Sequence, residues 1–258
     1  MLKYNYHTHT KRCGHASGED EEYVLSAIKA GYKELGFSDH VMLPGLSQKG
    51  IRAEYEELDD YLSSIRFLKE KYKDQISIFC GLECECFDEF LPYYRELLES
   101  KKVDYLILGQ HFYFSENKKL ISCTWNAPDV LESERKYVEY LAKGMKEGIF
   151  KYVAHPDVYA LLEDTWTEEF SKMAHKICKA AEETQTPLEI NLNCTKSGDV
   201  KKWKYPNEEF WKIASQYNVR VVIGVDAHKP EMFDTVRPER AFELIEKYNL
   251  KYEEKIEL

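Results

Sequence analysis

The sequence predicts an α/β protein built as one closed or nearly closed β/α barrel, and three observations carry that prediction. Short apolar, strand-like runs alternate with amphipathic helical patterns from end to end. No linker-like or low-complexity stretch interrupts them, so residues 1–258 are expected to form a single domain. Residues able to ligate metal recur where the strands end, and in a barrel all those ends share one rim. An open doubly wound sheet is the competing architecture. It would collect ligands at one crevice fed by a few loops, whereas here candidates follow every strand except possibly the sixth.

In chain order, strands are expected at residues 3–7, 34–38, 76–83, 105–109, 152–154, 188–191 and 219–225. Several are short, continuous apolar runs, as a sheet covered on both faces requires. A helix over residues 20–30 opens with Ser17 and acidic residues and stops at Gly31. The next, over 54–72, places Leu58, Leu62, Ile65 and Leu68 on one stripe. Further helices are expected at 88–100, 128–147, 167–184, 206–217 and 238–248. Pro128, Pro206 and Pro238 stand where three of them begin, a position where a missing N–H does no harm.

Composition narrows the function classes. With 43% hydrophobic and 14% aromatic residues the chain can build an ordinary core and is not disordered. The net charge of −10, with no basic cluster clear of acidic residues, argues against nucleic acid as the main partner. No segment reaches the roughly 18–20 apolar residues of a membrane span, and the N-terminal region runs straight into strand and histidines without a signal-peptide pattern. The seven cysteines have no disulfide-rich spacing, and Cys84-Glu85-Cys86 lacks the partner pair of a zinc motif. Free thiols in a reducing cytoplasm are expected.

The strand ends hold the chemistry. Of eight histidines, only His175 falls inside a helical pattern. The first strand is followed by His7-Thr8-His9 and then His15; on an extended segment residues two apart face the same side, so His7 and His9 can address one point in space. Later strands end in Ser38-Asp39-His40, Gly81-Leu82-Glu83, Gly109-Gln110-His111, His155-Pro156-Asp157 and Asp226-Ala227-His228. A lone histidine after a strand is usually a surface or hydrogen-bonding residue, but six strands doing so is a pattern. The nine candidate ligands His7, His9, His15, His40, Glu83, His111, His155, Asp226 and His228 exceed what one ion uses, so two to three ions are expected. A set rich in imidazole suits divalent zinc, iron or manganese better than magnesium or calcium.

These motifs, in this order from residue 7 to 228, resemble those of the polymerase and histidinol phosphatase (PHP) superfamily. The resemblance implies a distorted (β/α)7, TIM-like barrel holding a trinuclear metal site at the C-terminal ends of its strands. It implies one ion on His7, His9, Glu83 and Asp226; a second on Glu83 as bridge with His111 and His155; and a third on His15, His40 and His228. It also implies a phosphomonoesterase using a metal-activated hydroxide, because a metal-held water can have its pKa lowered from about 15.7 towards about 7. The best single substrate is histidinol phosphate.

Among catalytic candidates Glu83 is the bridge, while Asp226 and His228 are placed for leaving-group protonation but double as ligands. Asp39 and Asp157 are expected to orient imidazoles. Histidinol-phosphate phosphatases of this family place phosphate-gripping arginines after the fifth and sixth strands; residues 158–161 and 193–198 contain none here. Lys196, Arg52 and Arg237 are therefore the candidate phosphate contacts, each also readable as a surface charge. Tyr113, Phe114 and Trp125 are candidates for lining the organic pocket. The alternatives are a phosphatase for another small phosphorylated metabolite or for phosphotyrosine, a PHP-type nuclease, and a non-catalytic metal-binding scaffold.

Overall fold

A computed structural model of the chain describes residues 2–123, 127–160, 165–193 and 205–258. Four parallel strands run side by side in chain order: β1 (Tyr4–Asn5), β2 (Glu34–His40), β3 (Ser77–Cys84) and β4 (Tyr105–Leu108). An antiparallel hairpin of β5 (Phe112–Phe114) and β6 (Leu120–Ser122) follows. A second parallel run comprises β7 (Leu188–Asn191), β8 (Arg220–Gly224) and β9 (Lys251–Tyr252). Eight helices are described: α1 (Asp20–Lys29), α2 (Leu58–Lys71), α3 (Leu91–Glu99), α4 (Val130–Lys146), α5 (Glu168–Thr184), α6 (Glu208–Ala214), α7 (Met232–Thr235) and α8 (Glu239–Tyr248).

The two parallel runs are stitched together. The expected strand at 152–154 contributes only isolated bridges, Val153 pairing in parallel with Leu108 on one side and Leu188 on the other. Leu108 N–H donates to Tyr152 O at 3.0 Å and Glu189 N–H to Val153 O at 2.9 Å, so the segment does a strand's work in three residues. At the opposite edge Thr8 bridges Ala227 in parallel, with His9 N–H donating to Ala227 O at 2.9 Å. Curling follows from packing as well. Tyr6, Tyr105, Tyr152, Val222 and Ile256 form one buried cluster, although they come from strands far apart in sheet order; only a curled sheet brings them together. Tyr105 spans this interior, its hydroxyl donating to Tyr6 O at 2.7 Å.

The larger core lies between sheet and helices. The helix ends are capped locally: Glu19 and Glu22, in place of the expected Ser17, form a capping box on α1, Thr167 accepts from Phe170 N–H ahead of α5, and Asn249 takes the left-handed conformation that ends α8. Pro238 stands directly before α8, as expected. Pro128 and Pro206 lie two residues before α4 and α6, whose caps are Asp129 and Asn207. The β5–β6 hairpin and β9 were not expected from the sequence. Phe112–Phe114 has no alternation to mark it as a strand, and Lys251–Tyr252 is two residues long. Among the described residues no helix is long and apolar enough to cross a membrane.

Candidate metal centre

The parallel register brings the first functional pair together, for it sets His40, the last residue of β2, beside Glu83 of β3. His40 Nδ1 lies 3.1 Å from Glu83 Oε2. Directly after β4, Gly109 leaves the space the Glu83 carboxylate fills; a Cβ there would stand 1.9 Å from Oε1. His7 and His9 extend β1 with their Nε2 atoms 3.2 Å apart, as the two-residue periodicity predicts. His155 Nε2 lies 2.9 Å from Glu83 Oε1 and 3.2 Å from His111 Nε2. Asp226 Oδ1 stands 3.2 Å from His9 Nε2 and 3.5 Å from His7 Nε2. His15, His40 and His228 bring ring nitrogens within 4.8 Å of one another. All nine predicted ligands thus meet in one ring. Two of them, His155 at φ 35° and Asp226 at φ 50°, adopt the left-handed conformation that side chains with a Cβ avoid, as strained residues at functional sites do.

Some of the ring's outward-facing nitrogens and oxygens are tied to the scaffold. Asp39 lies with Oδ1 3.5 Å from His9 Nδ1, without a hydrogen bond to it, and accepts from Thr10 through Oδ2. His15 Nδ1 donates to Cys13 O at 3.1 Å, leaving Nε2 for the ring. Asn191 and Asn193 each donate to Asp226 Oδ2 at 3.1 Å, leaving Oδ1 facing the histidines. Asp157 differs from expectation: its Oδ2 accepts from Asn207 N–H at 2.6 Å, so it anchors the start of α6 and orients no imidazole. Burial pushes its carboxyl up to about 7.

Protonation in the ring follows from burial and neighbours. Burial and the charge of His9 push His228 down to about 3, and His40 well below its usual value, so both are neutral imidazoles with lone pairs free to coordinate. Burial pushes Asp226 upward, but His7 and the hydrogen bond to His9 more than offset it and hold the carboxyl well below its usual range. Glu83 behaves alike, held down against its burial by His111, His7 and the hydrogen bond from His155. Neither carboxylate nor His228 holds a proton at neutral pH, which favours ligand roles over general-acid roles. Glu83 Oε2, Asp226 Oδ1 and His40 Nδ1 are buried without a hydrogen-bond partner. Buried polar atoms that converge without bonding one another fit a cation between them.

The ring floors a cleft of about 410 Å3 whose walls include Ile51, Phe112, Val158 and Tyr205. The predicted phosphate contacts fare less well. Arg52 is buried, donating to Glu85 Oε1 at 2.7 Å, Val41 O at 2.9 Å and Gln48 Oε1 at 2.7 Å, so its guanidinium supports the wall from behind. Arg237 is exposed between α7 and α8 and does not line the cleft. Lys196 and Trp125 lie outside the described residues. Tyr113 is buried with its hydroxyl 3.3 Å from Ser133 Oγ, and Phe114 packs on Phe87; Phe112 is the hairpin aromatic that faces the cleft. Among the described residues Lys229 is the lysine or arginine that lines the cleft, and its side chain makes no hydrogen bond or ion pair with them. Its place directly after His228 was the available signal.

Two carboxylates escaped the sequence reading. Glu189 of β7 is fully buried behind His7, and Glu85 sits between Arg52 and His111, 3.7 Å from His111 Nδ1. Each is an acidic residue inside an apolar run, a pattern that itself demands a buried partner.

A curled parallel sheet with a histidine and carboxylate ring along its strand ends defines an α/β protein equipped to hold divalent metal. More particularly, the chain belongs to the PHP domain family, whose model matches residues 5–193. That match takes in the ring from His7 to His155 and stops short of Asp226 and His228. Its relatives include the histidinol-phosphatase of Bacillus subtilis, 26% identical and covering 89% of this chain and 94% of that protein. The histidinol-phosphatase of Lactococcus lactis is 24% identical, over 88% of this chain and 85% of that protein. Among solved structures, histidinol phosphate phosphatase from Lactococcus lactis, complexed with zinc, L-histidinol and phosphate, superposes with a TM-score of 0.75. It has 18% identity and covers the whole of both chains.

Proposed function

We propose that this protein is a metal-dependent phosphomonoesterase that hydrolyses L-histidinol phosphate to L-histidinol and phosphate, a step of histidine biosynthesis. The spacing of the ring carries the reading. Ligand atoms about 2.0–2.1 Å from a tetrahedral ion stand roughly 3.3 Å apart. His7 and His9 Nε2, Asp226 Oδ1 and the two Glu83 oxygens show separations of 3.2, 3.2, 3.4, 3.5 and 3.6 Å. In this reading His7, His9, Glu83 and Asp226 hold one ion, and Glu83 bridges to a second on His111 and His155. His15, His40 and His228 hold a third. The whole chain is read as one domain, a distorted (β/α)7 barrel in which 152–154 counts as the fifth strand and the Thr8–Ala227 bridge closes the circuit. Zinc, iron and manganese all suit the donors. Six buried, free cysteines among the described residues suit a reducing cytoplasm.

Bound there, such ions acidify water into a nucleophile and neutralise phosphoryl charge. The chain's residues do the remaining work. Glu83 holds two ligand groups in fixed relation, Asp39, Asn191 and Asn193 fix ligand orientation, and Lys229 meets the phosphate as a point charge at the cleft mouth. Asp226 and His228 act as ligands, and the leaving group takes its proton from water. Ile51, Phe112 and Val158 would exclude solvent around a small organic group, which suits a phosphorylated metabolite. The relatives named histidinol-phosphatase select the substrate within that class.

The test is phosphate release over a panel containing histidinol phosphate, other phosphorylated metabolites, a phosphotyrosine peptide and oligonucleotides. Histidinol phosphate should lead in kcat/KM, and a clear lead by any other member overturns the substrate. Elemental analysis of untagged, metal-repleted protein should find two to three transition-metal ions per chain, and Glu83→Gln should abolish hydrolysis of p-nitrophenyl phosphate.

A further inference from the structure

Strand β7 carries none of the proposed ligands, yet its Glu189 contacts two of them. It is fully buried, and each carboxylate oxygen is engaged. Oε1 accepts from His7 Nδ1–H at 2.8 Å. Oε2 accepts from the backbone N–H of His155 at 3.0 Å and from Asn191 Nδ2 at 2.8 Å. Space for this is kept by Gly224 of β8, where a Cβ would stand 1.7 Å from Glu189 Oε1. From this geometry we infer that Glu189 is a positioning residue that sets ligands of two ions at once, an inference that rests on the metal centre proposed above.

The chemistry explains why the residue is a glutamate. A carboxylate only accepts, so the His7 nitrogen facing it must carry the proton. That selects the tautomer whose Nε2 lone pair points into the ring, towards His9 Nε2 at 3.2 Å and Asp226 Oδ1 at 3.5 Å. The other oxygen fastens the main chain of His155 while it holds φ at 35°, the conformation that delivers its Nε2 to 2.9 Å from Glu83 Oε1. Glutamine cannot serve both sides. With its NH2 towards His7 it favours the tautomer protonated on Nε2, which cannot ligate; with its NH2 towards His155 and Asn191 it faces two donors with a third. Asparagine, glutamine or apolar substitutes would leave Glu83 and Asp226 intact and still misaim two imidazoles.

The test compares wild type with Glu189→Gln by zinc titration and by the visible spectrum of the cobalt-substituted protein, with circular dichroism to verify the fold. The variant should keep its fold, bind zinc roughly 10–100-fold more weakly, and lose intensity in the cobalt bands. Equal zinc affinity and an unchanged cobalt spectrum in the variant overturn the positioning role while leaving the metal centre standing. A wild type that takes up no zinc overturns the metal centre itself, and this inference with it. If Glu189→Gln does not fold, nitrogen-15 NMR of zinc-loaded wild type decides. His7 protonated on Nδ1 and ligating through Nε2 supports the assignment, and ligation through Nδ1 overturns it.

Discussion

Gly109 and Glu83 interlock: the missing side chain of one is the space occupied by the carboxylate of the other, at 1.9 Å from where a Cβ would lie. Glu83 lies in β3 and Gly109 directly follows the neighbouring β4, so the carboxylate cannot move aside without leaving His155 and His40. Gly109→Ala should therefore behave as an active-site mutation though it adds one methyl. We expect zinc content to fall below two ions per chain and kcat on p-nitrophenyl phosphate to drop about 100-fold, as for an ångström-scale misplacement. Overpacking should cost about 1–3 kcal/mol in urea unfolding. Full zinc content in the variant would show that Glu83 relocates freely.

Arg52 should matter for folding and not for phosphate binding. Its guanidinium is buried against Glu85, and removing it strands a buried carboxylate. Arg52→Met should lose about 3–5 kcal/mol of stability, the usual cost of breaking such a pair from one side. KM of the folded fraction should stay near wild type; a selective rise in KM without loss of stability would return Arg52 to the phosphate.

Lys229 carries the opposite expectation. It lines the cleft, and its ammonium has no partner among the described residues. Lys229→Met should raise KM for phosphomonoesters and the Ki of inorganic phosphate about tenfold, equivalent to about 1.4 kcal/mol, with kcat changed far less. Lys229→Arg should restore most of the loss. An unchanged Ki would leave Lys229 a solvated surface charge.

Away from the cleft, Glu208 fastens α6 to α8, accepting from Arg240 at 2.8 Å and from the Tyr248 hydroxyl at 2.9 Å, with Lys247 also bound. Those three donors hold its carboxyl down at about 2. A carboxylate depressed on folding stabilises the protein fully above its unfolded pKa, near 4.5, and loses that contribution as pH falls through about 2. Partial exposure limits the effect to about 1 kcal/mol or less. Glu208→Gln should thus lower the urea midpoint at pH 7, and the gap to wild type should narrow steadily between pH 5 and pH 3. A gap constant with pH would assign the effect to packing.

The alternation of strand and helix was legible because both periodicities are local, and the ring was legible because seven imidazoles and two carboxylates fall at strand ends in sequence. What stayed hidden depends on contacts across the sheet. Glu189 reads locally as an odd charge in Leu188–Asn191, and only the folded neighbours show His7 and His155 on its two oxygens. Arg52 reads as a free loop cation until Glu85 is placed beneath it. The hairpin after His111 escaped notice because Phe112–Phe114 is uniformly aromatic, its sorting into cleft-facing Phe112 and buried Tyr113 being settled by tertiary packing.

The Thr8–Ala227 bridge, backed by the bond from Val225 N–H to Asn5 Oδ1 at 2.8 Å, has a consequence for how the protein folds. His7 and His9 lie far from Asp226 and His228 in sequence. Contacts of such sequence separation form slowly. Until they form, His7 and His9 lack Asp226 beside them. An ion held by His7, His9, Glu83 and Asp226 would therefore bind only as these long-range contacts close, and would fasten distant parts of the chain together.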